Sequence, residues 1–281
     1  MECIICYNKE FSKLPFIREV STHTNKSYPL YKCKKCGLVR PHPLPYHDDD
    51  KLDIYDNPKN IRYYNEKEKK IEEDSFEYKY YFKYFLPFIQ LIDKYKIGGK
   101  SLDIGCGAGH LLKLLAEKGF DSEGLDVSKK LIDALKNKFK VYCCDINNKN
   151  LKDNSYNLIT ANQVLEHIEN PEIFVRRLNQ LLVKGCYAII AVPYLKGLVP
   201  NILRTKWYGL GYGQHLNFFS KKSLKIMFER NGFEICEFNI LIVNYDHPKF
   251  PRFINLFADI LSSMIVSINM GDNLFLVARK K

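Results

Sequence analysis

From Lys100 onward, short apolar runs alternate with stretches whose hydrophobic residues recur every three or four positions, the signature of strands alternating with amphipathic helices. The runs predict strands at Ser101–Ile104, Ser122–Leu125, Lys140–Cys143, Tyr156–Thr160, Tyr187–Val192, Glu234–Val243 and Asn273–Ala278. Between them the helical spacing predicts His110–Glu117, Lys129–Lys138, Pro171–Leu182 and Lys221–Asn231, with a further helix, Arg252–Ile268, before the last strand. Such alternation closes a largely parallel sheet with helices on its faces, an α/β fold.

The stretch before Lys100 reads differently. Residues 64–96 mix charges with Phe76, Tyr80, Tyr81, Tyr84, Phe85 and Phe88, spaced for amphipathic helices broken near Pro87. Residues 1–46 are punctuated by Cys, Lys and Pro and end in Arg40-Pro41-His42-Pro43-Leu44-Pro45, where regular structure stops. Three units are expected: a module at 1–46, a helical connector or lid at 47–97, and a main domain at 98–281.

Composition supports a packed core, because 46% hydrophobic and 27% charged residues in a chain of 281 exclude a disordered polymer. The net charge of +11 raises the possibility of nucleic-acid binding. Its lysines scatter along the whole chain, however, and solvated surface charge is the simpler reading. The opening Met1-Glu2-Cys3-Ile4-Ile5-Cys6 has neither a basic n-region nor an apolar h-region, so a cytoplasmic protein with reduced cysteines is expected. Segment 252–268 is interrupted by Asn255, Asp259 and three serines; it could rest on a membrane surface or pack on the protein itself.

Four of the nine cysteines form Cys3-x-x-Cys6 and Cys33-x-x-Cys36, two knuckles with 26 residues between them. That spacing suits tetrahedral thiolate coordination of zinc. Four thiolates close the shell, and about 45 residues cannot bury an adequate core unaided, so the metal is expected to be structural. The alternative is four free thiols. Cys106, Cys143, Cys144, Cys186 and Cys236 are expected to be small buried side chains.

Directly after the first strand of the main domain comes Asp103-Ile104-Gly105-Cys106-Gly107-Ala108-Gly109, then a helix. Glycines permit a tight turn and close backbone approach, while the helix start offers unpaired N–H groups. Alone, such a loop is weak evidence. Asp126 ends the second strand 17 residues past Gly109, and Asp145 ends the third with Ile146 beside it. Three acidic residues at the carboxyl ends of successive strands describe a nucleoside site, with Asp126 suited to ribose hydroxyls.

These residues, with Asn157-Leu158-Ile159 through Glu166-His167-Ile168, resemble the class I S-adenosylmethionine-dependent methyltransferases over roughly 98–281. The resemblance implies a Rossmann-like, seven-stranded, mostly parallel sheet with an antiparallel terminal strand. It implies that Gly105, Gly107 and Gly109 underlie the methionine moiety, that Asp126 takes the ribose and that Asp145 with Ile146 takes the adenine. Asp103, Cys106, Val127 and Asn162 complete the expected cofactor site. Asn157 stands where family members often carry Asp, a structural position. The cysteine module followed by this core, with Gln214-His215-Leu216-Asn217-Phe218-Phe219-Ser220 further on, is similar to a group tied to sugar and surface-polysaccharide biosynthesis. The acceptor implied is a small molecule or sugar, and methylation of a hydroxyl is favoured over carbon.

A hydroxyl acceptor must lose its proton, and two histidines are placed for that work. His215 is a candidate general base or a structural hydrogen-bonding residue, in a loop that Gly209, Gly211 and Gly213 suggest is mobile; His167 is a candidate structural or cofactor-adjacent residue. Two rival readings stay open. One is an RNA methyltransferase using the zinc module, although Asn162-Gln163-Val164-Leu165 lacks the Asn/Asp-Pro-Pro-aromatic motif of base methylation. The other is a non-enzymatic S-adenosylmethionine-binding partner protein.

Overall fold

The computed structural model describes residues 1–20, 27–44, 76–242 and 270–281. The expected helix Arg252–Ile268, residues 45–75 (the end of the first module and most of the connector) and residue Val243 lie outside these. A three-stranded antiparallel sheet opens the chain: β1 (Phe11–Val20), β2 (Ser27–Cys33) and β3 (Val39–Pro41). The main unit follows as α1 (Phe76–Lys94), β4 (Lys100–Ile104), α2 (His110–Glu117), β5 (Asp121–Asp126), α3 (Lys129–Leu135), β6 (Lys140–Cys143) and β7 (Tyr156–Asn162). After these come α4 (Pro171–Leu181), β8 (Leu182–Pro193), α5 (Leu198–Leu203), α6 (Lys221–Arg230), β9 (Phe233–Leu241) and β10 (Asn273–Lys280).

The seven strands β4–β10 form one sheet in the order β6-β5-β4-β7-β8-β10-β9. Every pair is parallel except those of β10, which runs antiparallel to both β8 and β9. Alternating side chains on each strand feed two cores. On one face Leu158, Ile189 and Phe275 pack with Phe88 and Ile92 of α1 and Leu111 and Leu115 of α2. On the other, Ile159, Ile190 and Leu276 pack with Phe174 and Leu178 of α4 and Leu224 and Phe228 of α6. All these side chains are close to fully buried, and the burial of each contributes roughly 1.5–3 kcal/mol.

Local sequence starts the helices where they start. Asn170 accepts the Ile173 N–H ahead of Pro171, and Ser220 and Ser223 form a reciprocal capping box on α6.

The structure corrects four local expectations. Helix α1 runs unbroken through Pro87: the proline forfeits one backbone hydrogen bond, but the stripe Phe88, Ile89, Leu91 and Ile92 is buried and holds the next turns on the sheet. Strand β8 begins at Leu182 rather than Tyr187, because Lys184-Gly185 mimics a turn while Gly185, at φ 79°, absorbs an irregularity inside the strand. Helix α3 ends at Leu135, where Lys138 and Phe139 both donate to the Leu135 carbonyl. Of the five remaining cysteines only Cys106 is buried; Cys143 is exposed and the others are half-buried. Among the described residues no helix is long and apolar enough to cross a membrane.

Candidate cofactor and acceptor site

At the carboxyl end of β4 the chain turns through Gly105, Gly107 and Gly109, at φ 68°, 52° and 79°. Only glycine adopts such angles without strain. A Cβ on Gly105 would meet Val164 at 2.5 Å, whereas one on Gly107 would meet nothing within 4 Å. The loop is thus clamped at one glycine and open at the next, as a backbone cradle requires. Gly105 and Cys106 both donate to the Leu125 carbonyl, tying the loop to β5.

Asp126 lies alongside. Its two oxygens accept the N–H groups of Gly107 (3.0 Å) and Ser128 (2.9 Å), joining the β4 loop to the end of β5. Val127 next to it is 39% exposed, an apolar side chain left open on the rim. Cys144 N–H binds the Asp126 carbonyl and brings the end of β6 to the same rim. Asp145 is exposed and accepts the Asn147 N–H at 2.6 Å; Ile146 is buried in the main core.

The remaining expected cofactor residues sit deeper. Asp103 is buried and accepts the Thr160 hydroxyl at 2.7 Å. Burial pushes its carboxyl up to about 7 against that hydrogen bond, and the Asp126 charge adds to the rise. Cys106 packs on Ile132 and Leu135 as a wall of the loop, its thiol raised by burial. Asn162 donates to the Tyr84 hydroxyl at 3.3 Å, which brings α1 to the same edge. Asn157 accepts the Lys100 N–H at the opposite edge of the sheet.

Past Val164 the chain makes a single 3-10 turn, Leu165–His167, and there the two candidate histidines meet. His167 and His215 pack edge to face with ring centroids 4.7 Å apart. Each pairs its Nδ1 with a backbone carbonyl, Gln214 for His167 (3.1 Å) and Gly209 for His215 (2.9 Å). Glu166, fully buried, points a carboxylate oxygen to 3.9 Å from His215 Nε2, and among the described residues neither carboxylate oxygen has a hydrogen-bond partner on another residue. Burial pushes the Glu166 carboxyl up to about 8 and, with the neighbouring His167, His215 well below its ordinary value. Two of the glycines around His215 stand at close contacts. Residues Tyr208–Gly213 form a 3-10 segment in which a Cβ on Gly209 would stand 2.2 Å from the Trp207 ring and one on Gly211 2.3 Å from the His215 ring. These glycines serve close packing.

The sequence carried the signal that could have found Glu166, a carboxylate beside a histidine between two apolar residues, Leu165 and Ile168. Nothing local singled out Arg40, whose Nε reaches the Leu216 carbonyl at 3.2 Å.

At the amino end Cys3, Cys6, Cys33 and Cys36 are buried, with their sulfur atoms all within 4.8 Å of one another and the Cys3–Cys36 and Cys6–Cys33 pairs at 3.5 Å. A tetrahedron with 2.3 Å metal–sulfur bonds has edges of about 3.8 Å, so the quartet suits that geometry.

The fold and the cradle at its carboxyl edge define a class I S-adenosylmethionine-dependent methyltransferase. A family model described as a methyltransferase domain matches residues 77–237, more than half of the chain, and the chain belongs to that family. It is similar to ubiquinone biosynthesis O-methyltransferases, at 28% identity over 37% of this chain and 54% of the Coxiella burnetii protein. The Pelagibacter ubique protein matches at 29% over 50% of this chain and 66% of its own. The match thus spans about half to two thirds of those relatives. Among solved structures, a methyltransferase from Archaeoglobus fulgidus superposes with a TM-score of 0.53 at 21% identity, covering 69% of this chain and 92% of that one. Another from Mesorhizobium loti gives 0.54 at 16%, covering 70% and 98%.

Proposed function

We propose that this chain transfers the methyl group of S-adenosylmethionine to a hydroxyl of a small polar acceptor, a nucleotide-sugar or surface-glycan precursor. Residues 98–281 form the catalytic unit, 1–46 a structural zinc module and 47–97 the connector between them. When bound, the cofactor supplies an electrophilic methyl on a sulfonium. Gly105, Gly107 and Gly109 cradle its amino-acid end, Asp126 accepts hydrogen bonds from the ribose hydroxyls, and Val127, Asp145 and Ile146 form the adenine side. Asp103 and Cys106 shape the loop from beneath, and Asn162 lines the acceptor side.

His167 removes the acceptor proton. It is half-buried where His215 is sealed, and a base must reach the hydroxyl it deprotonates. His215 stands behind it as a positioning residue. The observation that carries this reading is the join between the two halves: Val164, which fills the space over Gly105, lies three residues before His167.

A hydroxyl acceptor is in keeping with the O-methyltransferases this chain resembles. The sugar class rests on the cysteine module and the Gln214–Ser220 segment. Incubating the metal-replete protein with methyl-labelled cofactor and a panel of uridine-, guanosine- and thymidine-diphosphate hexoses tests it by mass spectrometry. A labelled sugar supports the assignment. Labelling of catechols alone would overturn the acceptor class, and absence of S-adenosylhomocysteine binding would overturn the enzyme.

A further inference from the structure

The cysteine ribbon is wedged against the segment that carries His215. Val39 and Phe218 exchange two backbone hydrogen bonds (2.8 and 3.0 Å) as an isolated antiparallel bridge between β3 and the main unit. One residue further along β3, Arg40 donates to the Leu216 carbonyl. At the second knuckle, the Cys36 carbonyl accepts the hydroxyl of Ser220, the residue that caps α6. Gly37 follows with φ 76°, where a Cβ would stand 3.2 Å from that same hydroxyl. Behind this strip, Leu30 of β2 and Val39 pack on Trp207, Leu210 and Phe218, all buried. From the other side the segment is held by the Glu166 carbonyl, which accepts the N–H groups of Leu216 and Asn217.

Residues 214–220 are therefore a layer between two supports, the Glu166–His167 turn and the ribbon. We infer that the four-cysteine ribbon is a clamp on the acceptor side of the site, which seats residues 214–218 and with them His215, and that Arg40 is its positioning residue. A module whose task was to capture a distant partner would leave β3 open. Here the β3 edge is spent on the protein's own acceptor segment through three hydrogen bonds, and the Cys36 carbonyl adds a fourth at Ser220. The two knuckles fix the direction in which β3 leaves Cys36, so the clamp is set only when the sulfur quartet is drawn together. The role given to residues 214–218 rests on the acceptor-side reading above; the clamp itself does not.

Amide hydrogen exchange followed by mass spectrometry tests the clamp, with emission from Trp207, the single tryptophan of the chain, as a second readout. Metal removal should raise exchange in 214–218 at least tenfold and shift Trp207 emission to the red, while β4 and β7 keep their protection. Because stripped protein could lose the ribbon altogether, Arg40→Met is measured with its metal content verified at one ion per chain. It should show the same tenfold rise, and Arg40→Lys, whose ammonium can still meet the Leu216 carbonyl, should stay within threefold of the parent. Exchange in 214–218 unchanged in Arg40→Met, or an equal rise in both variants, would overturn the positioning role. Exchange and emission indifferent to metal would overturn the clamp. Titration of the unmodified protein with S-adenosylhomocysteine separates this from the enzyme reading, which fails if no heat is released whatever the exchange data give.

Discussion

Glu166 and His215, 49 residues apart in the chain, meet with a carboxylate oxygen 3.9 Å from Nε2, and both side chains are buried. Burial favours the neutral form of each, a carboxylic acid beside a neutral imidazole. The half-buried His167 stands in front of them.

That pair gives stability a pH signature. Between about 4.5 and about 8, the folded protein keeps a proton on Glu166 that the unfolded chain has released, so this contribution is whole below about 4.5 and is lost as pH rises through about 8. Glu166→Gln removes the loss. Urea titrations at pH 5 and pH 8 should show the variant gaining on the parent at the higher pH, by on the order of a few kcal/mol. Equal differences at both would place the ionised carboxylate in the folded state.

The two histidines should separate in kinetics. His167→Ala is expected to lower turnover by about 10²–10⁴ while S-adenosylhomocysteine binds within about twofold of the parent, the usual weight of a general base. His215→Gln should lose turnover more modestly and also unfold more easily, since it leaves the Gly209 carbonyl and the close-packed Gly211 without their partner. A sealed His215 whose loss abolished turnover while His167→Ala remained active would reverse the roles.

Cofactor binding should follow the loop. Asp126→Ala removes a charge-assisted acceptor and should weaken S-adenosylhomocysteine by about 10–100-fold in calorimetry. Gly105→Ala places a Cβ on Val164 at a positive φ, and should lose both affinity and about 1–3 kcal/mol of stability. Gly107→Ala meets no neighbour, so its cost should appear chiefly as backbone strain and lost ligand affinity.

At the opposite edge of the sheet, Glu123 is buried under ion pairs with Lys100 (2.7 Å) and Lys140 (2.6 Å) and accepts the Tyr156 hydroxyl at 2.6 Å. Burial alone would raise its pKa; the two lysines and the tyrosine outweigh it and hold the carboxyl down to about 2. Its stabilisation is present above about 4.5 and is lost as pH falls toward 2. Glu123→Gln should cost about 1–3 kcal/mol near neutral pH and flatten acid unfolding over that window; the exposed Lys140 head can return to water, which keeps the cost below that of a wholly buried pair.

The sheet and the glycine cradle were legible because their signals are local: a strand's apolar run, a turn's glycines and an acidic residue at a fixed offset all lie within about 25 residues. Each Cys-x-x-Cys pair was legible for the same reason, and the two pairs read as a quartet because their spacings match. What escaped depends on distant packing. Pro87 speaks for a break until Phe88 and Ile92 are seen buried on Phe275. Gly209, Gly211 and Gly213 read as hinges, yet the first two are small because Trp207 and His215 lie against them. Arg40 stands in a run that reads as a module boundary, and its partner Leu216 is 176 residues away.

Among the described strands β9 pairs with β10 alone, which is inserted between it and β8 although it comes later in the chain. While the polypeptide is being made, β9 therefore emerges with no partner ready, and the exposed edge of β8 waits with it. The half of the sheet that includes both can close only after Asn273–Lys280 is out of the ribosome, a late and non-local step of the kind that slows folding and invites edge-to-edge association.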